Sequence, residues 1–486
     1  MNINPTVIFN EYSAGTTLKA SMGNKGLFEQ NRINERFYIG DQWYGAKCGN
    51  DRPLVRHNII KRIGDYKIAQ ILNHPVSVKF TAEGIPTEDN SEMMNIFSNY
   101  FTSCAERVNL NALSEKALKN SYISGTGIIY TYWDSSVPTG LFADRDKKTP
   151  IKGDIGCEVL NVEDVVFGDP YSDNIQGQPY IILCSKKSEE EVLREARING
   201  ATLNRLTLIS EEAKDGKITV YTKLRRSLKK DGTYGIFASK TTENSIIRNE
   251  FDTGLTLYPL SVFKWESRNN SAYGESEITY LIPNQIAINR MITANVWSAM
   301  TTGMPIMLVN GDVVNETVTN NPGQIISFYG NADEFDKTIK YIEPPHFSGD
   351  LNYITNDVIE KTLSLAGATD AALGTIKAQN SSAINAVKES ARLPLTLIKK
   401  RDNVFLEEVA KIFLEFMINM YAFRPLYQKN ENGEEYFAGN TDDINDILIK
   451  IGSWNEMYDR VIVSDDRKAV QMAIRYVNKK LDENGN

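Results

Sequence analysis

Residues 272–423 constrain the fold of this 486-residue chain more than any other stretch. Their pattern predicts a helix, a turn-rich insert, a second helix over 350–365, a loop of small residues and a long third helix. The first helix is predicted to begin at Pro283, because a proline at the first helical position lacks only an N–H that would be unpaired there. Apolar residues point in almost every direction around it, so we expect protein to cover this helix on several sides.

The two connections within this stretch differ in composition. The insert, 303–348, carries Gly, Asn, Asp and Pro at short intervals and includes two β-type runs, 305–309 and 324–329. The loop, 366–380, is small and polar, with no pattern that could hold a core. We therefore expect strands in the insert, and a loop that can move without disturbing a core.

The third helix is predicted to start at Ser381 or Ser382, both of which are good N-cap residues. Pro394 removes one backbone donor and clashes with the preceding turn, so a kink is expected there. Beyond the kink, apolar residues repeat on one helical face, namely Phe405, Val409, Ile412, Phe413, Phe416 and Met420. This spacing is typical of a helix that packs along one side.

The rest of the chain alternates between helical and strand patterns. Helices are predicted over residues 29–38, 57–72, 87–100, 110–123 and 188–199. Strands are predicted over residues 76–81, 128–133, 157–162, 180–185, 218–228, 234–239, 245–248 and 260–264. Residues 1–30 have no clear pattern, and Ser464 is predicted to cap a final amphipathic helix that runs to Lys480. The overall prediction is an α+β protein.

Charge and hydropathy exclude two classes of protein. The 62 acidic and 54 basic side chains give a net charge of −8, which argues against a tight, sequence-independent DNA binder. The acidic net charge does not exclude a protein past which DNA moves without binding tightly. The start of the chain lacks the basic and apolar segments of a signal peptide, and no apolar run is long enough to span a membrane. We therefore predict no membrane partner.

The motifs of common catalytic and metal sites are missing from the sequence. Four scattered cysteines fit neither a disulfide framework nor a zinc site, and the three histidines stand in no motif. There is no phosphate-binding Gly-x-x-x-x-Gly-Lys-Ser/Thr loop. Gly125-Thr-Gly127 could cradle a phosphate, but no helix follows it, so a helix-to-strand connection fits better. We predict no catalytic residue, no cofactor and no metal.

An acidic cluster leaves one enzymatic alternative open. Asp164, Asp169 and Asp173 could in principle hold Mg²⁺ between them. A turn beside a strand uses the same residue types for backbone reasons, and that interpretation is the simpler one. The alternative function is therefore a metal-dependent enzyme that acts on nucleic acid or carbohydrate through these carboxylates.

Six short stretches carry a family resemblance. In chain order they are Arg36-Phe-Tyr-Ile-Gly-Asp-Gln-Trp43, Asn58-Ile-Ile-Lys-Arg-Ile63, Asn73-His-Pro75, Ser124-Gly-Thr-Gly-Ile-Ile-Tyr130, Val165-Val-Phe-Gly-Asp-Pro170 and Tyr273-Gly-Glu-Ser276. The last stretch leads into the first predicted helix, which contains Asn289-Arg290. By their order and spacing over residues 30–420, these stretches resemble the SPP1-like (Gp6-like) family of phage portal proteins, while residues beyond 425 match least.

The resemblance implies a ring of subunits, dodecameric in virions, around a channel for double-stranded DNA. It implies this division of the chain: an N-terminal arm (1–30), a β-containing wing (31–271), a first stem helix (272–302), a small α/β clip (303–348), a second stem helix (349–366), a tunnel loop (367–380), a long kinked wing helix (381–425), and a last part that completes the wing and forms a small crown (426–486). Such a ring belongs to the virion, at the portal vertex of the capsid, and is assembled in the cytoplasm of the bacterial host.

Site residues and partners follow from the same resemblance. The residues implied are Lys377, Gln379 and Asn380 in the tunnel loop nearest DNA, and Arg290, Trp297 and Tyr353 at the stem interface between subunits. The partners implied are the terminase large subunit, a head-completion or adaptor protein, and the major capsid and scaffold proteins. The function implied is DNA packaging and ejection, with no chemistry of its own. Another capsid or head–tail adaptor protein is a third interpretation, although adaptors are usually much shorter chains.

Overall fold

The computed structural model has a mixed α+β fold, as the sequence predicts. It describes residues 3–18, 25–45, 53–73, 77–83, 88–142, 150–229, 232–302, 306–309, 339–342, 349–368, 381–420, 427–429, 435–437, 460–462 and 469–475. Everything below concerns these residues.

Five helices precede most of the sheet structure. They are α1 (Pro5–Thr16), α2 (Leu27–Ile39), α3 (Ile59–Leu72), α4 (Glu88–Arg107) and α5 (Leu110–Ser124). Four of them lie where helical patterns were recognised. The sequence did not indicate α1, which starts with Pro5 behind an Asn4 cap whose Oδ1 accepts a hydrogen bond from the N–H of Thr6 at 3.1 Å.

A three-stranded antiparallel sheet follows α5. Its strands are β2 (Thr126–Phe142), β3 (Pro150–Leu160) and β9 (Leu260–Lys264), in the order β3-β2-β9. Ile128 and Ile129 of β2 are fully buried. The polar composition of residues 134–153 predicts a loop or a hairpin tip, but 134–142 and 150–153 are strand, because β2 and β3 stay paired beyond their apolar runs.

A second sheet is an antiparallel meander of five strands. They are β4 (Val165–Phe167), β5 (Tyr180–Ser188), β6 (Lys217–Leu228), β7 (Tyr234–Thr241) and β8 (Ile246–Asp252), and each pairs with the next. Two helices, α6 (Glu189–Ile198) and α7 (Leu203–Glu211), connect β5 to β6 and cover one side of the sheet. Ser188, with Glu191 three residues later, has the sequence pattern of a capping box, and its Oγ accepts a hydrogen bond from the N–H of Glu191 at 3.4 Å.

Within the described part of residues 272–423, the structure has three helices and a strand pair. In chain order these are α8 (Glu277–Thr302), β10 (Ile306–Val309), β11 (Ile339–Ile342), α9 (Gly349–Leu365) and α10 (Ser381–Met420). The strand at 306–309 and the helices over 350–365 and from Ser381 are confirmed. The partner of β10 is β11, in antiparallel register, and the predicted run 324–329 lies outside the described residues.

Two expectations about helix limits need correction. The first helix begins at Glu277, six residues before Pro283, which lies inside it. Ser276 supplies the start, because its Oγ accepts a hydrogen bond from the N–H of Ile278 at 3.1 Å. The third helix continues through Pro394 as one helical segment, so this proline does not interrupt it.

The last part of the chain differs most from the prediction. It contributes β12 (Tyr427–Lys429), β13 (Glu435–Phe437), β14 (Arg460–Ile462) and β15 (Ala469–Arg475). Residues 427–437, with Asn432-Gly433 at their centre, have the sequence pattern of a hairpin, and the antiparallel pairing of β12 with β13 confirms it. The predicted final helix is wrong over 469–475. That segment is a strand, which pairs in parallel with β1 (Ser77–Glu83) and antiparallel with β14.

The main core lies where α10 crosses the body. Its predicted apolar face is confirmed, since Phe405, Val409, Ile412, Phe413 and Phe416 are all buried. Met420, at the end of the helix, is only partly buried. Aromatic rings form much of this core, because the ring of Phe413 lies 5.3 Å from that of Phe101, and Phe263 lies 5.8 Å from Phe405, centroid to centroid.

Candidate functional site

Helices α8 and α9 form an antiparallel hairpin. Near the body, Asn284 Nδ2 donates a hydrogen bond to Thr362 Oγ1 at 3.2 Å. Farther along, Asn295 Nδ2 lies 3.1 Å from Asn352 Oδ1 and 3.2 Å from Thr355 Oγ1. The amides of α8 thus fix the register of α9 at two points on the hairpin.

The burial of α8 changes abruptly along its length. The half that begins at Glu277 has buried positions through Asn289, whereas none of residues 290–300 is buried. In the same outer part of the hairpin, large apolar side chains are exposed: Met300 on α8, and Leu351, Tyr353 and Ile354 on α9. Among the described residues, the expectation that protein covers this helix on several sides therefore holds for its first half and weakens beyond Thr293, whose Oγ1 still accepts a hydrogen bond from the N–H of Val55 at 3.2 Å.

The three predicted interface residues all lie on this hairpin, beyond its buried half. Arg290 is exposed, Trp297 is partly buried, and the side chain of Tyr353 is 74% exposed. Arg290 and Trp297 are seven residues apart, so they share one face of α8. Their contact with a second subunit stays a prediction.

A buried amide network joins α8 to the start of α3. The Oε1 of Gln285 accepts hydrogen bonds from the N–H groups of Ile59 at 3.0 Å and Ile60 at 3.3 Å. These N–H groups belong to the first turn of α3, where no intrahelical partner exists. The Nε2 of Gln285 donates to the carbonyl of His57 at 2.7 Å and to Asn289 Oδ1 at 3.0 Å. A side chain of one helix thus caps another.

Asn289 extends this network to a third segment. Its Oδ1 also accepts a hydrogen bond from the N–H of His57 at 3.0 Å, and its Nδ2 donates to Gln42 Oε1 at 2.6 Å. The sequence pattern gave Gln285 no structural role and placed Asn289 only within the stretch that carries the family resemblance. The signal that was missed is their spacing of four residues, which places two amides side by side on one helix face.

A buried ion pair anchors the first residue of α8. Glu277 Oε1 lies 2.6 Å from Lys67 Nζ, and its Oε2 accepts a hydrogen bond from Trp265 Nε1 at 3.1 Å. The position suits a carboxylate, because the N-terminal end of a helix carries partial positive charge. The carbonyl of Trp265 accepts a hydrogen bond from Arg401 of α10. The pair therefore links α3, α8 and, through Trp265, the long helix.

Three of the stretches that carry the family resemblance meet just before α8. Gly274 N donates to Thr126 Oγ1 at 2.9 Å, and Ser276 Oγ donates to the carbonyl of Tyr122 at 2.6 Å. The hydroxyl of Tyr273 donates to the carbonyl of Val165 at 3.1 Å. The stretches 124–130, 165–170 and 273–276 are thus neighbours in space, which their separation in sequence did not reveal.

Gly125 makes this close approach possible. It ends α5 in the left-handed region, at φ +84°, and its N–H donates to the carbonyl of Ser121 at 2.8 Å. A Cβ here would overlap the backbone of Gly274. Gly125-Thr-Gly127 is therefore the helix-to-strand connection that the sequence favoured over a phosphate site.

Two of the three acidic residues of the enzymatic alternative, Asp164 and Asp169, are engaged in local contacts through their carboxylates. Asp164 accepts a hydrogen bond from Asn161 Nδ2 at 3.3 Å, and burial raises the pKa of its carboxyl. The Oδ1 of Asp169 accepts from the N–H of Tyr171 at 3.0 Å, as in a turn. Within the described ranges, no group of three or more His, Cys, Asp or Glu side chains is placed to hold a metal ion. These contacts agree with the turn interpretation.

The predicted tunnel-loop residues Lys377, Gln379 and Asn380 lie outside the described residues. The structure describes the two ends of that loop. At the end of α9, Gly367 adopts φ +69° and the N–H of Ala368 donates to the carbonyl of Leu363 at 2.9 Å. The other end is the first residue of α10.

Among the helices in the described part of the chain, none combines the length and the apolar character needed to cross a membrane. No protein-family model matches the sequence, and no curated protein matches it either.

Proposed function

We propose that this chain is a phage portal protein. Twelve or so copies would form a ring at one capsid vertex, through which double-stranded DNA is packaged and ejected. The ring would also provide the docking site for terminase and for head–tail connector proteins. The observation that carries this proposal is the α8–α9 hairpin, which is rooted in the body at one end and exposes apolar side chains at the other.

The exposed apolar side chains of the hairpin favour further copies of this same chain as the partner. Met300, Leu351, Tyr353 and Ile354 are large apolar side chains, and burying such a side chain stabilises an assembly by about 1.5–3 kcal/mol. In a closed ring, every hairpin meets one neighbour on each flank through the same two surfaces. One set of apolar side chains can therefore be covered repeatedly, without a second type of protein.

The order of elements around the hairpin supports the same proposal. The strand pair β10–β11 lies between its two helices, where the clip is expected, and the loop before α10 lies at the opposite end, where the tunnel loop is expected. In that proposal Lys377, Gln379 and Asn380 face the DNA, within a chain whose net charge of −8 disfavours tight binding to phosphates.

The last part of the chain is proposed to complete the wing. Strand β15 pairs with β1, so residues 469–475 join a sheet with an early segment of the chain. With that segment in a sheet, the helix expected for a small crown loses residues 469–475, and any crown has to be built from other parts of 426–486.

The test is the native mass of the purified protein, with negative-stain images of the same sample. We expect particles of about 660 kDa, twelve times the 54.7 kDa chain, that show a central hole. A second sample should carry Tyr353→Glu together with Trp297→Glu, and we expect its rings to be lost while its circular dichroism is retained. A compact dimer, or a chain that stays monomeric at every concentration, would contradict the proposal.

A further inference from the structure

Each helix of the α8–α9 hairpin has a face that points away from the other helix. On α8, Asn284 and Asn295 both contact α9, and their spacing places them within about 20° of each other around the helix. Arg290 and Trp297 lie about 120–160° around the helix from both asparagines. We call the side of α8 that carries Arg290 and Trp297 the far face of α8.

The far face of α9 follows from the same geometry. Thr355 and Thr362 are buried, and their hydroxyls contact the asparagines of α8. Tyr353 and Glu360 lie about 140–180° around the helix from both threonines, and both side chains are exposed. Each far face therefore carries one aromatic and one charged side chain, seven residues apart.

The hydrogen bonds between the helices also fix which residues lie at the same height on the hairpin. Asn295 Nδ2 donates to Thr355 Oγ1 at 3.2 Å, so these two residues are level. Trp297 follows Asn295 by two residues, and Tyr353 precedes Thr355 by two. Because the helices are antiparallel, Trp297 and Tyr353 are level as well, on opposite sides of the hairpin.

Arg290 and Glu360 form a second level pair, nearer the body. Counted from the hydrogen bond between Asn284 and Thr362, their Cα atoms differ in height by about 6 Å, and counted from the bond between Asn295 and Thr355 they are level. Side chains tilt towards the N-terminus of their own helix, which brings the long side chains of Arg290 and Glu360 towards a common height.

The two far faces carry opposite charges. Arg290 is the only charged residue of α8 after Glu277. Among the residues that the structure describes, neither Arg290 nor Glu360 has an ion-pair partner. The acid nearest to Glu360 in sequence, Asp357, is paired with Lys361 at 2.7 Å. The far face of α8 is therefore positive, and that of α9 is negative.

The segment 53–57 borders the far face of α8 without reversing its charge. The N–H of Val55 donates to Thr293 Oγ1 at 3.2 Å, which places this segment along one edge of the face. The segment contains Arg56, which is exposed, and no acidic residue. Arg290 itself stays exposed beside it.

We propose that the far face of α8 packs against the far face of α9 in the next copy of this chain. Cyclic symmetry keeps equivalent residues at one height when the hairpins run along the ring axis. Residues that are level within one hairpin then also meet between neighbours. Arg290 pairs with Glu360 of the neighbouring copy, and Trp297 packs on Tyr353 of the neighbouring copy.

This inference rests on the ring of the proposed function and adds the order of contacts within it. The occupant of the far face of α8 is a second copy, because α9 of that copy presents a carboxylate and an aromatic ring at the heights where α8 presents a guanidinium and an indole. Such a contact joins two different surfaces, so it repeats around a ring rather than ending in a dimer.

The test is a charge exchange, with assembly followed by native mass over a dilution series. Arg290→Glu and Glu360→Arg each place like charges opposite one another. Each should raise the protein concentration needed for half assembly about tenfold. The chain that carries both substitutions has opposite charges again and should assemble within about threefold of wild type. Both positions are exposed, so circular dichroism should show folded protein in every sample.

The matched control is Lys116→Glu, which makes the same change in net charge at an exposed position of α5 and should leave assembly within about twofold. The pairing is overturned if wild-type rings form but the single reversals assemble equally well. It is also overturned if Lys116→Glu weakens assembly as much as Arg290→Glu, or if the double variant stays as weak as the single ones. A wild-type chain that forms no ring would contradict the portal function itself, so the two failures are distinguishable.

Discussion

The two halves of α8 belong to one helix but have opposite surroundings. From Glu277 to Asn289 the helix is fixed by the chain itself, through an ion pair with Lys67 and an amide network centred on Gln285. From Arg290 to residue 300 no position of the helix is buried, although Met291 and Ile292 pack against the main core and the N–H of Val55 donates to Thr293 Oγ1 at 3.2 Å. Contacts within the described chain therefore fix the inner half, whereas the outer half keeps large apolar side chains exposed.

The largest effect should come from the ion pair of the inner half. Lys67→Ala leaves Glu277 as an unpaired buried charge, which typically costs about 3–5 kcal/mol. Chemical denaturation followed by circular dichroism measures the free energy of unfolding. Lys361 of α9 pairs with Asp357 at 2.7 Å but is solvent-exposed, so Lys361→Ala should destabilise the chain far less than Lys67→Ala does. Equal losses would show that burial of the Lys67–Glu277 pair makes no difference.

A second comparison concerns the stability lost when one asparagine is removed from each half of α8. Asn289→Ala leaves the amide of Gln42 and the N–H of His57 without their partner, which should cost about 2–3 kcal/mol. Asn295→Ala on the outer half should cost about 1 kcal/mol or less, because its Nδ2 contacts with Asn352 and Thr355 are exposed or only partly buried, and its Oδ1 has no partner among the described residues to lose. Unfolding curves of the two variants would show this difference in their midpoints, and the reverse order would contradict it.

The third prediction concerns how the free energy of unfolding depends on pH through one buried carboxyl of α10. Burial raises the pKa of Glu408 on α10 from its ordinary 4.5 to about 7. A raised carboxyl pKa favours the folded state only while the group is protonated, so its contribution is lost as pH rises from 4.5 through 7. Glu408→Gln should therefore raise the free energy of unfolding by about 2 kcal/mol at pH 8 and by much less at pH 5. Parallel stabilities of variant and wild type across this range would refute the assignment.

The smallest effect on the single chain should come from the outer half. Tyr353→Glu changes an exposed side chain, so we expect the free energy of unfolding to shift by less than about 0.5 kcal/mol. The same variant should weaken self-association, measured by native mass. Tyr171, which is 72% exposed in the turn between β4 and β5, provides the matched control, and Tyr171→Glu should leave the native mass unchanged. If both variants assemble like the wild type, the outer half has no role in assembly.

Most helices and strands of the fold could be predicted from local pattern. Ser188, Ser381 and the apolar face of α10 are examples, because capping and periodicity act within a few residues. The start of α8 was wrong because Pro283 is also tolerated inside the helix, while Ser276 and Glu277 gave a second, correct start signal. The strand 469–475 was wrong because its apolar residues also fit a helix, and only pairing with β1 decides between the two.

The candidate site was predictable in part. Sequence placed Arg290, Trp297 and Tyr353 on two long helices, and the structure puts all three on one projecting hairpin. It gave no indication that Gln285 caps α3, since that contact joins residues more than 220 positions apart. The exposure of Ile198 and Leu203 could not be foreseen from the sequence either, because it depends on what the two helices pack against.

Local sequence pattern predicts most helices, the turns and the mixed α+β class of this protein. Long-range contacts fix which half of α8 is buried, that 469–475 is a strand beside β1, and which apolar residues stay exposed. The two kinds of information differ in their range along the chain. Caps, prolines and periodicity act over a few residues, whereas burial and strand pairing depend on partners hundreds of residues away in the chain.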